Sequence, residues 1–461
     1  MALDSVIRGG QIVTADSTYV ADLGIADGKV AVIQTRIEAA ADREIDARGL
    51  LLLPGAIDVH THFDTGVGGS ATADDYESGS RAAAFGGITT FVNFAFQERG
   101  NTFRSAIERE VAKATGHTYI DYGLHLVITD LGTPASLDEV PGLVRDGFTS
   151  IKVFTAVGEF QLSDADLLRV LGASAKQHIL VNVHAEDGAL VDHLSEQLLA
   201  QKKRGVENLP AARPPEAEAL ATARVAGYGS MLGCPIYFVH LSCRKALDAV
   251  RAARSDGAEI YVETRPAYLF MDESRYTLPE REGNKFVCWP PLRTEDDQRA
   301  LWDGLRSGEI QTYATDHTTW MAAQKMDPQH TFAEIPGGVS NVQTSVGMLY
   351  AEGVKQGRIT INQMVAITAT NPAKLFGLWP AKGTLTVGSD ADILLIDPEH
   401  ELTITSGHMQ SKSDFDPYEG YAAKGWPVTT ISRGEVIVEK GHLSAKAGRG
   451  RLLRRQRYHR L

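Results

Sequence analysis

The sequence predicts an α/β protein, a (β/α)8 barrel with a β-sandwich lobe built from both termini, and three observations favour this fold. Eight short apolar segments alternate with helix-period segments through the middle of the chain, as expected of a parallel sheet that closes into a barrel. Segments of alternating polarity, broken at Gly-Gly and Asp-Gly, flank this region and are typical of hairpins. Polar side chains occur near the C-terminal ends of several predicted strands, where barrel active sites are built.

The composition fits a globular protein with a small-molecule substrate. The chain has 461 residues, of which 43% are hydrophobic and 23% charged, and this allows a sizeable core. Its net charge of −12 argues against a nucleic-acid partner, because phosphate binding needs a basic surface. Cys234, Cys243 and Cys288 have spacings that suit neither a disulfide framework nor a thiolate metal cluster. Without a recognisable leader or an apolar window of about 18 residues, we expect a cytoplasmic protein with no membrane partner.

Residues 1–53 and 381–445 are predicted to form the β-sandwich lobe. Alternating segments such as SVIRGGQIVTA and YVADLGIADGKVAVIQ lie in the first range, and GTLTVGSDADILLIDP and WPVTTISRGEVIVEKG belong to the second. The chain is therefore expected to start this lobe, build the barrel over residues 54–380, and return to complete the lobe.

Residues 446–461 form an irregular basic tail. Its basic residues are Lys446, Arg449, Arg451, Arg454, Arg455, Arg457 and Arg460. In an acidic protein we favour packing on a neighbouring acidic subunit, or fraying in solvent, over nucleic-acid binding.

The order of strands and helices predicts the barrel. The predicted strands cover residues 52–62, 88–97, 121–130, 149–157, 179–187, 235–242, 259–268 and 310–320. Helix-period runs lie between them, at Ser105–Thr115, Asp164–Gln177, Pro214–Leu232, Arg244–Ser255 and Glu295–Arg306. Two more helical runs, Ser340–Gly357 and Ile361–Phe376, follow the eighth strand. This alternation is the pattern of parallel strands joined by crossover helices.

Two histidines at the end of the first strand indicate a metal site. His60 and His62 are two residues apart, and side chains at i and i+2 of a strand share a face, so both can reach one metal ion. The pair alone is weak evidence, because a strand histidine is more often buried and hydrogen-bonded without a metal. His184, His240 and Asp316 fall in the C-terminal halves of the fifth, sixth and eighth predicted strands. Their common placement favours one metal-dependent active site.

Lys152 lies on the fourth predicted strand, and an ammonium group cannot ligate a metal. A buried lysine is normally costly. If its amine loses a proton and takes up carbon dioxide, the resulting carbamate is an anionic group that can bridge two cations. A barrel lysine paired with an acid is an equally good interpretation of the spacing alone.

A set of motifs, in order along nearly the whole chain, resembles one enzyme family. The motifs are HTHFD, GGITTFVNF, SIKVF, VHAED, VHLS, ETRPAYL, PPLR, ATDH, NPAKLFGLWPAKGTLTVGSDADILLID and DPYEG. They resemble the cyclic amidohydrolases, and most closely the dihydropyrimidinase and hydantoinase branch. The resemblance implies a TIM barrel with a β-sandwich lobe and a binuclear centre, usually of zinc. It also implies a homotetramer whose C-terminal tails reach over neighbouring subunits.

The ligand set implied by the resemblance consists of the six candidate site residues described in the preceding paragraphs. Its members are His60, His62 and Asp316 on the first metal, His184 and His240 on the second, and carboxylated Lys152 as the bridge. The implied reaction is the opening of a cyclic amide ring, of hydantoin, dihydropyrimidine or cyclic imide type, by a metal-bridging hydroxide. Asp316 would take the proton of the bridging water and pass it to the departing amide nitrogen.

Three alternative functions fit the sequence less well. Allantoinases and dihydroorotases resemble the chain, but after the His-x-His pair they usually carry an Arg or Asn and then Glu-Pro-Gly, where this chain has Phe63, Asp64, Thr65 and Gly66. Metal-free relatives of dihydropyrimidinase are oligomeric scaffolds, but they have lost ligands that are present here. Mononuclear deaminases on the same barrel lack a bridging lysine. The segment Thr72–Ser80 also looks like a hydantoinase loop.

Three predicted substrate-binding positions depart from the family pattern. Val157 stands where those enzymes carry a Tyr that holds the developing oxyanion, Trp289 where Ser is usual, and Gly337 where Asn is usual. The last two positions contact the substrate mainly through backbone groups in the family. We therefore expect a displaced pocket that accepts a different or bulkier ring, such as a substituted hydantoin or a cyclic imide.

Three further polar residues receive a structural interpretation. His125 is predicted to pack in the core. His317 should point to the opposite face from Asp316, because neighbouring side chains alternate along a strand. Arg293 should tie a loop and not bind substrate.

Overall fold

The computed structural model describes residues 2–67, 70–132 and 135–461. One of its sheets is an eight-stranded parallel barrel. In sheet order its strands are β6 (Ala56–Thr61), β9 (Ile88–Phe96), β10 (Asp121–Val127), β11 (Ser150–Phe154), β12 (Leu180–His184), β13 (Ile236–Phe238), β14 (Ile260–Thr264) and β15 (Thr312–Tyr313). Each lies within one of the eight predicted segments, in the predicted order. The barrel is closed by a parallel bridge between Thr61 and His317, and the His62 amide donates to the His317 carbonyl at 2.9 Å.

The barrel strands are covered on both faces, which explains their composition. The strand β9, with the sequence ITTFVNFAF, is buried except for its last residue. Parallel strands flanked by helices are enriched in β-branched and aromatic residues without strict alternation. This is why continuous apolar runs predicted them.

Most of the longer helices confirm the predicted runs. The α-helices are α1 (Tyr76–Phe85), α2 (Phe103–Ala114), α3 (Val140–Arg145), α4 (Asp164–Gln177), α5 (Gly188–Ala200), α6 (Leu209–Ala212), α7 (Pro215–Leu232), α8 (Arg244–Ser255), α9 (Pro266–Phe270), α10 (Glu295–Ser307), α11 (Ala322–Lys325), α12 (Ser345–Met348), α13 (Ile361–Val365) and α14 (Asn371–Leu375). Short 3-10 turns occur at Leu137–Glu139, Gly158–Phe160, Val206–Asn208, Glu273–Thr277, Glu282–Phe286 and Ser406–His408. The two helical runs after the eighth strand contain π-helical turns, at Leu349–Val354 and Ala366–Thr370.

The segment Thr72–Ser80, whose sequence looks like a hydantoinase loop, is a loop only in its first part. The helix α1 begins within it, because the Asp75 side chain accepts a hydrogen bond from the Ser78 amide and the Ser78 hydroxyl bonds back to Asp75. This capping box satisfies amide groups that would otherwise lack partners at the helix start. The helix α5 was not predicted either.

The second large sheet has nine strands and is built from both ends of the chain. Its strands are β1 (Leu3–Val13), β2 (Thr18–Ala26), β3 (Lys29–Gln34), β4 (Ala41–Asp46), β5 (Leu51–Pro54), β16 (Ile393–Thr403), β17 (Ala422–Ser432), β18 (Glu435–Glu439) and β19 (His442–Leu443). The ends meet where β16 pairs antiparallel with β5, so the expected return of the chain is confirmed. The segment GTLTV is not part of a strand, and β16 begins only at Ile393. A separate two-stranded sheet pairs β7 (Gly66–Val67) with β8 (Ser70–Ala71).

A buried lysine joins the nine-stranded sheet to the barrel. The Lys382 ammonium lies 2.9 Å from Asp121 at the start of β10 and 2.6 Å from Asp392 just before β16. Asp390 lies 3.2 Å away. Because Lys382 and Asp121 are almost fully buried, this cluster is a specific tie between the two parts.

The basic tail lies on this chain's own barrel, so the expectation that it frays is wrong, whereas packing on a neighbouring subunit stays a prediction. Leu452 forms a parallel bridge with Tyr122, and the Leu453 amide donates to the Tyr122 carbonyl at 2.7 Å. Arg455 is buried and donates to Ser150 Oγ at 2.8 Å. These contacts are at the N-terminal ends of β10 and β11, so the tail covers the floor of the barrel. In the described part of the chain, no helix has the length and apolarity needed to span a bilayer.

Candidate metal centre

The first group of candidate ligands converges on one carboxylate oxygen. His60 Nε2 lies 3.1 Å from Asp316 Oδ1, and His62 Nε2 lies 3.2 Å from the same atom. One candidate ligand atom from each of these three residues lies within 4.8 Å of the other two. His60 is at the end of β6, His62 follows it, and both present the same face as the strand period predicts.

The second group is a pair of histidines beside the first. His184 Nδ1 and His240 Nε2 are 3.0 Å apart. The rings of His60 and His240 are 5.5 Å apart between centroids, so the two groups share one site. The buried Nδ1 atom of His240 has no hydrogen-bond partner among the described residues.

Two of these residues lie beyond the strands on which they were predicted. β13 ends at Phe238 and β15 at Tyr313, whereas His240 and Asp316 have positive φ angles of 40° and 48°. A left-handed residue cannot continue an extended strand, and for residues other than glycine this conformation is costly. The strands therefore stop early, and both side chains belong to the loops at the C-terminal end of the barrel.

Lys152 lies in β11 between the two groups. It is 1% exposed, and its Nζ is 4.8 Å from the centroid of the Phe154 ring. Burial lowers its pKa to about 7, and only the charges of Glu263 and Asp316 oppose that shift. A substantial fraction of this amine is neutral near physiological pH, as carbamate formation requires.

Most of the candidate ligands hold the protonation states that metal binding needs. The exception is His60: burial alone would lower its pKa, but the neighbouring carboxylates raise it. Burial lowers the pKa of His62 to about 4 and also lowers the pKa values of His184 and His240. Burial alone would raise the pKa of Asp316, but His60 and Arg265 hold it well below its usual range. Neutral imidazoles and an ionised carboxylate are what a divalent metal ion binds. Together with the unpartnered His240 nitrogen, this donor set fits a binuclear metal centre.

Two buried glutamates contact ring nitrogens of the candidate ligand histidines and so orient the rings. Glu263 Oε1 lies 2.7 Å from His60 Nδ1 and accepts the His240 amide at 2.9 Å. Glu186 Oε2 lies 2.7 Å from His184 Nε2. A carboxylate on one ring nitrogen fixes the tautomer and leaves the other nitrogen free for a metal. Sequence reasoning missed both, although Glu186 follows His184 by two residues and Glu263 is a charge within an apolar strand.

Two buried arginines complete this outer layer and were also missed. Arg213 Nε donates to Glu186 Oε1 at 3.0 Å. Arg265 forms an ion pair with Asp316 Oδ2, leaving Oδ1 to face His60 and His62. Nothing in the spacing of the sequence distinguishes such an arginine from one that ties a loop.

The ligands open into a small cavity at the C-terminal end of the barrel. This metal cavity has a volume of about 70 Å³. It is lined by His60, His62, Phe96, Lys152, Phe154, Val157, Phe160, His184, His240, Trp289, Asp316, Thr318, Gly337 and Gly338. The cavity thus contains the six candidate ligands and the three predicted substrate-binding positions.

The three predicted substrate-binding positions have unusual local structure. Val157 adopts a left-handed conformation, with φ 74° and ψ 63°, which is rare for a β-branched residue. A Cβ atom added to Gly337 would lie 2.8 Å from the Trp289 ring, closer than a van der Waals contact allows. The Gly337 carbonyl accepts a hydrogen bond from the Trp320 indole at 2.9 Å.

The other polar residues have structural partners. His125 is fully buried, with Nε2 2.9 Å from the Val59 carbonyl oxygen. His317 Nε2 lies 2.9 Å from Asp74 Oδ2, away from the first ligand group. Arg293 NH1 donates to the Arg213 carbonyl at 2.6 Å, so it ties two loops.

Known proteins resemble this chain over its whole length. Residues 51–437 match the model of the Amidohydrolase family. A D-hydantoinase from Geobacillus stearothermophilus is 41% identical over 459 residues, which are 99% of this chain and 97% of that protein. A D-hydantoinase from Rhizobium radiobacter is 41% identical over 458 residues, which are 99% and 100% of the two chains. The crystal structure of a dihydropyrimidinase from Brevibacillus agri has 39% identity and a TM-score of 0.97, covering 99% of this chain and 100% of that one.

Proposed function

Because this chain belongs to the amidohydrolase family, we propose that it is a metal-dependent hydrolase that opens a cyclic amide ring of hydantoin, dihydropyrimidine or cyclic imide type. The observation that carries this proposal is the complete donor set around one cavity, in a chain similar from end to end to hydantoinases. An allantoinase-like activity is the second candidate, and a non-enzymatic scaffold is the third.

The proposed metal ligands are the six residues predicted from the sequence. His60, His62 and Asp316 would hold the first ion, His184 and His240 would hold the second, and a carboxylated Lys152 would be the ligand shared by both. Two zinc ions are the proposed metals. When bound, they supply a hydroxide nucleophile at neutral pH and polarise the amide carbonyl.

Asp316 carries the proton in this proposal. Its Oδ1 atom faces His60 and His62, while Arg265 holds its Oδ2 atom. The same contacts keep Asp316 ionised, so it can accept the proton of the attacking water. Delivery of that proton to the ring nitrogen completes cleavage of the C–N bond and yields an N-carbamoyl acid or a similar ring-opened product.

The proposal also includes the domain boundaries, the oligomeric state and the location of the protein. We assign residues 1–53 and 381–445 to the β-sandwich lobe, 54–380 to the catalytic barrel and 446–461 to the tail. A homotetramer is proposed from the family resemblance. A cytoplasmic location is supported by the three free, buried cysteines.

Ring opening and metal content, measured on one preparation, test the function. The purified chain is loaded with zinc in bicarbonate and incubated with hydantoin, dihydrouracil, succinimide and allantoin, and the acids formed are followed by chromatography. We expect two metal ions per chain and ring opening of at least one of the first three substrates. Turnover of allantoin alone would favour the second candidate. Absence of bound metal and of all turnover would favour the scaffold.

A further inference from the structure

A buried polar network lies inside the barrel, on the floor side of the candidate ligands. Its centre is His125, whose Nδ1 atom is 2.6 Å from Ser150 Oγ and 3.0 Å from Asn182 Nδ2. The Nε2 atom of the same ring is 2.9 Å from the Val59 carbonyl oxygen. These three side chains, of His125, Ser150 and Asn182, are almost fully buried, and we refer to them as the His125 network.

Each partner of His125 stands one or two residues before a candidate metal ligand. The pairs are Val59 with His60, Ser150 with Lys152, and Asn182 with His184. Side chains two positions apart on a strand share a face, so Ser150 and Asn182 lie one layer below the candidate ligands of β11 and β12. The His125 network therefore joins the three strands β6, β11 and β12 directly behind their ligating residues.

A ring contact adds a second connection between the network and the ligands. The Phe94 ring stacks on His125 and on His62, at 4.9 Å between centroids in both cases. It also meets the His60 ring edge-on at 4.8 Å. Packed rings of this kind leave little room for independent movement, so a displaced His125 would also displace the first ligand group.

The hydrogen bonds of the network run in one direction. A carbonyl oxygen can only accept, so His125 carries its proton on Nε2, and Nδ1 accepts from the Ser150 hydroxyl and the Asn182 amide. Burial and the charge of Arg455 lower the pKa of His125 well below its ordinary value, which keeps the ring neutral. One tautomer and one ring orientation satisfy all of these contacts.

Arg455 of the tail stands at the start of this chain of donors. Its NH2 atom donates to Ser150 Oγ at 2.8 Å and also to the Leu124 carbonyl. Because the Ser150 oxygen accepts from Arg455, its own hydrogen is directed to His125. A Cβ atom added to Gly123 would lie 3.2 Å from Arg455 Nε, so the glycine leaves room for the guanidinium. The donors thus lead from Arg455 through Ser150 to His125.

Stability of the fold does not explain a charge at position 455. Arg455 is 3% exposed, and its Nε and NH1 atoms have no hydrogen-bond partner among the described residues. Burial lowers the pKa of its guanidinium to about 9 without opposition from a nearby acid. A buried charge without an acidic partner costs free energy, so an apolar side chain would suit the folded state at least as well.

We propose that Arg455 is a positioning residue for the metal centre: docking of the tail orients Ser150 and His125, and through them the candidate ligands of three barrel strands. Metal binding and tail docking are then coupled, and the coupling is reciprocal. This inference rests on the proposed function, because it concerns the same metal site.

Zinc affinity and stability, measured separately, test the role of Arg455. The full chain is titrated with zinc in bicarbonate against a competing chelator. We expect Arg455→Met to bind zinc about tenfold more weakly, the scale for residues that orient ligands. The urea midpoint of the metal-free variant should equal or exceed that of wild type, because a buried unpaired charge is removed. Arg455→Lys, which keeps a charged donor, should recover part of the affinity.

The neighbouring arginine provides the matched control. Arg454 is exposed and donates to the Asp146 carbonyl at 3.0 Å, outside the His125 network. Arg454→Met should therefore keep the zinc affinity of wild type. An equal loss in both methionine variants would show that any change in the tail weakens the site, and would overturn the assignment to Arg455.

A double-mutant cycle tests the route through Ser150. Ser150→Ala removes the hydroxyl that joins Arg455 to His125 and should also weaken zinc binding about tenfold. If both residues act through this one hydroxyl, the double variant with Arg455→Met should be no weaker than either single variant. Multiplied losses would show that Arg455 does not act through Ser150.

Amide exchange tests the reciprocal effect on the tail. The Leu453 and Arg455 amides donate to the Tyr122 and Gly147 carbonyls at 2.7 and 3.0 Å. Hydrogen–deuterium exchange of tail peptides is followed by mass spectrometry with and without zinc. We expect zinc to slow exchange in wild type and in Arg454→Met, and to have little effect in Ser150→Ala. Equal protection in Ser150→Ala would contradict the coupling.

The outcomes separate the inference from the function on which it rests. If wild type binds two zinc ions and Arg455→Met and Ser150→Ala bind them equally well, the positioning role is wrong while the metal centre stands. If wild type binds no zinc, the proposed function fails, and the inference fails with it.

Discussion

Trp289 and Gly337 show how two departures from a family pattern can belong together. The Trp289 ring occupies the space where a side chain at position 337 would begin. A tryptophan in this position at 289 thus requires glycine at 337. Their spacing in the sequence gives no sign of this dependence.

The pair predicts a non-additive response to mutation. Gly337→Asn alone should clash with the Trp289 ring and lower both stability and kcat/KM. Adding Trp289→Ser should recover most of the loss, with a coupling free energy of about 0.5–3 kcal/mol, the range for residues in contact. Urea unfolding of wild type, both single variants and the double variant measures this coupling. Additive effects would show that the two positions are independent.

Lys152 is predicted to control metal loading. Lys152→Ala should bind less than one metal ion per chain and lose ring-opening activity, because the bridge between the two ligand groups is missing. A short carboxylic acid such as propionate should restore part of both. Metal analysis by mass spectrometry with and without propionate checks this, and a fully active Ala variant with two metals would refute the bridging role.

The lowered pKa of Lys152 also predicts how the metal-free protein responds to pH. The pKa is about 7 in the folded state, against an ordinary lysine value of 10.5. Between these values the unfolded chain binds more protons, so folding stability rises with pH in that window, and below about 7 the full penalty of the buried ammonium remains. The stability of wild type relative to Lys152→Met should therefore increase from pH 7 to pH 10. A flat difference would contradict the shift.

Asp316 is predicted to act chiefly as the proton carrier. Asp316→Asn retains an oxygen beside His60 and His62 but cannot accept a proton, so kcat should fall by about 10²–10⁴-fold while most of the metal is retained. Turnover and metal content are measured on one preparation. Near-normal turnover in a fully loaded Asn variant would assign the proton transfer to another group.

At the scale of elements, the sequence predicted what periodicity and capping determine. The helices α4 and α8 have the predicted bounds, and each barrel strand lies within its predicted segment, since both patterns depend on local burial. Where strands end was not predictable, because the left-handed residues His240 and Asp316 carry no local signal. Glycine would have marked such a bend, but these positions carry candidate metal ligands.

The candidate ligands could be predicted from the sequence, and the buried residues that contact them could not. His60, His62, Lys152, His184, His240 and Asp316 are uncommon side chains within or shortly after apolar strands. Glu263, Arg265 and Arg213 act through partners far away in sequence. Their roles depend on how separate strands and loops meet, which one sequence does not reveal.

At the scale of the whole molecule, the buried Lys382 cluster connects the nine-stranded sheet to the barrel. Lys382→Met leaves Asp121 and Asp392 buried with less compensating charge, so we expect a loss of about 3–5 kcal/mol in the free energy of unfolding. Lys412→Met removes the exposed ion pair with Asp75 and should cost less than about 1 kcal/mol. Chemical denaturation of both variants gives the comparison. Equal losses would mean that the cluster does not tie the lobe to the barrel.

The tail across the barrel floor bears on how the protein is made. Residues 446–461 contact the starts of β10 and β11, yet they are translated some three hundred residues after those strands. A ribosome-bound chain therefore holds all eight barrel strands for a time before the segment that covers their N-terminal ends has emerged. During that interval the backbone edge at Tyr122 and the pocket for Arg455 are open to water and to chaperones, so the last step of folding follows synthesis of the tail.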